Sequence, residues 1–125
     1  MTSPLRFTLF APDTVRRGEA VLFTMRVENT GTRAVDLELR GREPTLSVTV
    51  VDQRQREVWR SAADPVPASL LLLTVNPGAP IETSILWDQR DSSGSPVRAG
   101  NYLAEATLLT DGPVLPSASC RLRID

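Results

Sequence analysis

The chain has 125 residues, 41% of them hydrophobic and 23% charged, and a formal net charge of −1. That length suits one domain with its own core, so residues 1–125 are read as a single unit. The near-neutral charge offers no field to nucleic acid or an anionic membrane, and the longest apolar run, Leu70 to Leu73, is far too short to cross a bilayer.

The opening residues, Met-Thr-Ser-Pro-Leu-Arg-Phe, lack the basic-then-apolar order of a signal peptide, which makes a cytoplasmic protein the expectation. From there the dominant pattern is period two. Leu5, Phe7 and Leu9 begin it. Val21, Phe23, Met25 and Val27 then alternate with Leu22, Thr24, Arg26 and Glu28. Val35, Leu37 and Leu39 follow, then Leu46, Val48 and Val50. A short run spans Glu57 to Arg60 and an apolar one Ser69 to Val75. Thr83, Ile85 and Trp87 share one face, as do Tyr102, Ala104 and Ala106, and Cys120, Leu122 and Ile124 close the series. Turn signals punctuate the runs at Arg17-Gly18, Asn29-Thr30-Gly31, Gly41, Asn76-Pro77-Gly78, Ser93-Gly94 and Asp111-Gly112-Pro113. No segment sustains a helical period. The pattern predicts an all-β, immunoglobulin-like antiparallel sandwich of about seven to nine strands. It has no internal disulfide, because Cys120 is the only cysteine.

The residue inventory excludes several chemistries. All 14 basic residues are arginine, so Schiff-base and lysine-base mechanisms are unavailable. There is no histidine, which removes the commonest general base and the commonest imidazole metal ligand. Cys120 lacks that partner and reads as a small buried hydrophobe. No Gly-rich phosphate loop opens a helix, and no basic stripe carries aromatics. A non-catalytic binding protein is therefore the expectation: no enzyme, no cofactor, no metal, no nucleic acid and no membrane.

The stretch "LWDQRDSSGSPVRAGNYLAEATLL", Leu86 to Leu109, faintly resembles an acidic cation loop. Calcium needs about six to eight oxygens, and here only Asp88 and Asp91 supply carboxylates, with Arg90 between them. The structural reading is stronger. Trp87 ends a strand on the core, Asp88 or Asp91 bonds loop amides, and Ser93-Gly94 permits a turn with positive φ.

Several segments in order carry a family resemblance: "VLFTMRVENTGTRAVDLEL", "LSVTVVD", "EVWRS", "VNPG" and the Trp87-Asp88 to Tyr102 stretch. Together they resemble the BsuPI family of intracellular proteinase inhibitors over about Val21 to Leu109. Two features depart from that family. Its usual glycine before V-W-R is missing from "DQRQREVWR", and Ser61 stands where an aromatic often follows. The W-D…G-x-Y stretch also looks like immunoglobulin-like domains of flagellar hook-capping proteins, which supports the fold more than the activity.

The resemblance implies inhibition of an intracellular, subtilisin-like serine proteinase. The competing class is an accessory module that pairs with another protein through a sheet edge or loop. A proteinase cleft accepts an extended, protruding segment. The longest irregular stretch between strands is "RSAADPVPAS", Arg60 to Ser69, stiffened by two prolines. The expected partner contacts are therefore Trp59, Arg60, Ser61, Asp64, Pro65, Val66 and Pro67. The same stretch also reads as a plain crossover between two sheets, and Trp59 as either anchor or core.

Overall fold

Alternation of apolar and polar residues becomes alternation of buried and exposed ones wherever a strand has a core on one side. The computed structural model of the chain describes residues 4–40, 46–61, 70–108 and 117–125. Among these are ten strands and no helix. They are β1 (Leu5–Phe10), β2 (Thr14–Val15), β3 (Val21–Asn29), β4 (Val35–Arg40), β5 (Leu46–Val51), β6 (Glu57–Arg60), β7 (Leu70–Val75), β8 (Ile81–Trp87), β9 (Gly100–Leu108) and β10 (Ala118–Ile124).

The strands form two principal sheets, ordered β1-β3-β8 and β2-β10-β9-β5-β6, with β4 and β7 as a two-stranded ribbon. From the first sheet Val21, Phe23, Met25 and Trp87 are fully buried; from the second, Val48, Val50 and Ala104. The ribbon adds Leu37, Leu39 and Val75 to the same core. This is the expected sandwich. The outward residues of β3 lie opposite those of β8 as polar pairs: Thr24 Oγ1 and Ser84 Oγ are 2.8 Å apart, and Arg26 Nε donates to Glu82 at 3.2 Å.

Three details differ from the sequence expectation. β2 is an extra strand of two residues, too short to announce itself by alternation. It pairs parallel with β10 (Thr14 beside Arg123), whereas the other pairings between strands are antiparallel. Cys120 is half-buried rather than buried, with burial and the nearby Asp13 both pushing its thiol pKa up. Finally, β6 is bulged. Val50 pairs with Trp59 and Val51 with Glu57, so Val58 is an extra residue. The bulge breaks strict alternation, and Val58 and Trp59 both pack against the core.

The five-stranded sheet has two unlike ends. At one lie the β5–β6 turn and the long β8–β9 connection, above the Val51–Leu103 pair. At the other, Leu46 pairs with Leu108, and Ser61 bonds back to Leu46 and Val48.

Candidate functional site

Trp87 organises the first end. Its indole lies against Trp59 (centroids 5.6 Å apart) and Phe23 (6.3 Å), with Tyr102 edge-on at 6.2 Å. These rings come from both sheets, so the cluster ties them together. The indole Nε1–H is spent on Arg90 O at 2.8 Å. The Tyr102 hydroxyl donates to Arg98 O, four residues upstream, at 2.5 Å. A tyrosine at the start of a strand bonding back in this way is the corner found in immunoglobulin-like sandwiches. Burial is the main cause raising the Tyr102 pKa, so the hydroxyl keeps its proton.

The connection after Trp87 is held from within. Asp88 Oδ1 accepts from Arg90 N (3.1 Å). Asp91 Oδ1 accepts from Ser93 Oγ (2.6 Å), Ser93 N (2.9 Å) and Ser95 N (3.0 Å). The Ser93 hydroxyl first, and the Ser95 amide next, hold the Asp91 carboxyl below its ordinary pKa. Gly94 takes a φ of 88°, as the turn requires. No group of three acidic or thiol side chains able to hold a metal occurs among the described residues.

Two polar side chains that the sequence presents as ordinary turn residues turn out to be buried clamps. Gln89 is 1% exposed. Its amide donates to Arg16 O (2.8 Å) and Glu19 O (2.6 Å) and accepts from Gly18 N (3.0 Å), closing the β2–β3 turn. Asn29 donates to Arg33 O (2.7 Å) and Val75 O (2.9 Å) and accepts from Gly31 N (2.9 Å), tying the β3–β4 turn to β7. The motif residues Asn29, Trp87, Gln89 and Tyr102 are thus scaffold, their polar atoms consumed inside the fold.

Of the expected contact residues, Trp59, Arg60 and Ser61 are described, while Asp64, Pro65, Val66 and Pro67 lie outside the described residues. Trp59 is half-buried on Trp87, so its core role is realised and one face is covered. Arg60 is exposed and paired with Glu57 at 2.6 Å. Ser61 is hooked to β5 three times: its N–H donates to Val48 O (2.9 Å), its hydroxyl accepts from Val48 N (2.8 Å), and that hydroxyl donates to Leu46 O (3.2 Å). The aromatic that often follows V-W-R in the resemblance is replaced here by a strand-end clasp.

The comparisons with known proteins agree with this geometry. The family model BsuPI, described as intracellular proteinase inhibitor, matches residues 9–112. A search of curated proteins finds no match. Among solved structures, a CARDB domain from Pyrococcus furiosus, solved in complex with di-metal ions, is 16% identical with a TM-score of 0.51, over 97% of this chain and 87% of that one. Spo0M, a sporulation control protein from Bacillus subtilis, is 17% identical with a TM-score of 0.52, over 98% of this chain and 49% of its own. A β-glucosidase from Erythrobacter marinus is 16% identical with a TM-score of 0.53, over 97% of this chain and 15% of its own. At such identities these likenesses speak to the fold alone.

Proposed function

This chain belongs to the BsuPI family of intracellular proteinase inhibitors, and from that premise we propose that it inhibits a subtilisin-like serine proteinase in the cytoplasm through the segment from Arg60 to Ser69. Its role is binding rather than catalysis, since the family is one of inhibitors.

The observation that supports this segment is the construction of its root. Ser61 is held to β5 through both its N–H and its hydroxyl, two residues after Trp59, which stacks on the buried Trp87. Tight inhibition requires the contacting segment to be positioned before binding, because ordering it during binding costs affinity. Pro65 and Pro67 restrict the chain without a disulfide, which suits a reducing compartment. In this reading Arg60, Asp64, Pro65, Val66 and Pro67 meet the proteinase, and Trp59 and Ser61 hold the segment out.

The test replaces residues 62–67 by Gly/Ser of equal length, with folding checked by circular dichroism. Subtilisin-like activity is titrated with the native protein and with the variant. The expected outcome is inhibition by the native chain alone. Equal inhibition by both excludes the segment. Failure of the native chain against every subtilisin-like enzyme tried favours the second reading, an interaction module. That reading has its own support in the exposed Phe10, Leu22 and Leu86 on the outward face of β1, β3 and β8.

A further inference from the structure

At the end of the sandwich opposite Ser61, the β5–β6 turn and the β8–β9 connection face each other across an open groove of about 790 Å³. Three exposed arginines line it: Arg54 and Arg56 from the turn, and Arg98 from the connection. We propose that this guanidinium-lined groove is a second binding site, which takes an acidic, carboxylate-bearing peptide segment of a partner protein.

Two observations carry the proposal. The first is that, among the described residues, the groove's own carboxylates are engaged with the chain while its guanidinium groups are not. Asp52 Oδ1 accepts from Arg54 N (2.9 Å) and Arg56 N (3.0 Å). Asp91 is closed on Ser93 and Ser95. Glu57 pairs with Arg60. The side chains of Arg54, Arg56 and Arg98 make no hydrogen bond or ion pair among the described residues, and the charges of Arg56 and Arg54 act on Asp52 from a longer range. Among the described residues, then, three planar, always-charged forks have their donors unspent, the geometry that receives carboxylates two bonds at a time.

The second observation is that the backbone beneath each fork is pinned. The turn bearing Arg54 and Arg56 is locked by the double bond to Asp52, with Gln55 between them at a φ of 62°. The carbonyl of Arg98 is fixed by the Tyr102 hydroxyl, and the amide of Val97 by Gln89 O at 2.9 Å. Fixed bases reduce the ordering cost of binding. Because Asp52, Glu57 and Asp91 balance the three arginines in charge, recognition rests on short bidentate bonds rather than a long-range field, and those bonds weaken with added salt because all three forks are solvent-exposed. The site does not rest on the inhibitor reading.

The probe is acetylated, amidated hexaglutamate, titrated calorimetrically into the full chain beside hexaglutamine. Saturable binding of hexaglutamate alone is expected. It weakens at least tenfold in R54Q/R56Q/R98Q and is unchanged in R6Q/R26Q/R33Q, which alters net charge equally away from the groove. Amide chemical-shift changes in the native chain are expected only around residues 52–57 and 91–101. Four results each overturn the proposal: no saturable binding at millimolar peptide, equal binding of hexaglutamine, equal weakening in both triple variants, or shifts centred elsewhere. Tripolyphosphate binding at the groove without hexaglutamate binding assigns it to phosphoanions and overturns the peptide reading. The variant with Gly/Ser at 62–67 is expected to bind hexaglutamate as the native chain does, which separates failure of this site from failure of the inhibitor segment.

Discussion

Gln89 carries a positive φ of 61° without being glycine, and it is almost completely buried. Such a backbone costs about 1 kcal/mol or more, and a buried amide costs more unless its atoms are bonded. Here three hydrogen bonds to the β2–β3 turn offset both. Gln89→Ala leaves those backbone groups unsatisfied and is expected to lower stability by about 2–4 kcal/mol. Gln89→Glu is expected to fare no better, because a carboxylate has no hydrogens to give Arg16 O and Glu19 O. Urea unfolding midpoints check both, and a near-native midpoint for the glutamate variant would show that the bonds to Arg16 O and Glu19 O contribute little. Asp52 and Asp91 act on the exposed side of the same end. The Arg56 amide first holds Asp52 below its usual pKa, and the Ser93 hydroxyl first does so for Asp91. A carboxyl with a depressed folded pKa stabilises fully above its unfolded value, near pH 4, and that contribution fades as pH falls through the lower folded value. The double replacement D52N/D91N is therefore expected to flatten the fall in unfolding midpoint below about pH 4. Parallel acid limbs for the variant and the native chain would show that neither turn contributes.

At the scale of the element, the connection from Trp87 to Gly100 is a self-contained frame. Trp87 is fully buried among three aromatic rings, and removing its side chain should cost about 3–5 kcal/mol. Removing both Asp88 and Asp91 should leave proteinase binding unchanged once folding is corrected for. Calcium should not shift the melting temperature of the native protein; a rise lost in that double variant would mean the loop holds the ion. How far each element was legible follows from what fixes it. The runs in β3, β5, β9 and β10 alternate because one side of each faces the core, and that side is written in the residue types. β2 has no such record, since its two residues are held by the ladder to β10 rather than by their own pattern. Asn29 and Gln89 were legible as loop residues but not as buried clamps, because burial of an amide depends on carbonyls brought in from distant strands. Trp59 left core and anchor open from sequence; the bulge at Val58 packs its ring against the core and leaves part of it exposed. Nothing in the sequence singles out the arginines of the groove; their convergence needs Arg98 folded across from Arg54.

Taken whole, the sandwich is closed by its last strand. β10 pairs with β9 along its length and with β2 in parallel, so Thr14 and Arg123 meet across nearly the entire chain. The backbone around this seam is doubly bonded: Arg123 N donates to Asp13 O and Asp125 N to Val15 O, both at 2.9 Å. Leu122 and Ile124 from β10 and Val15 from β2 are all buried in the common core. Pairings of such long sequence separation cannot form until most of the chain is in place, which places folding in the milliseconds-to-seconds range of all-β domains. The two sheets also meet through Trp87, which touches rings from β3, β6 and β9. Deleting residues 118–125 removes one neighbour of β9, the only neighbour of β2 among the described residues, and two large buried side chains. Each buried aliphatic alone is worth about 2–5 kcal/mol, against a total stability of about 5–15 kcal/mol for a domain. The truncated chain is therefore expected to be unfolded at 25 °C, with collapsed amide dispersion in its NMR spectrum and loss of the β-sheet signal in circular dichroism. The full chain should show coincident unfolding by tryptophan fluorescence and circular dichroism. A truncated chain that kept its dispersion would mean that β1, β3 and β8 with the remaining strands form a core sufficient without the seam, and the sandwich would then be two separable layers rather than one.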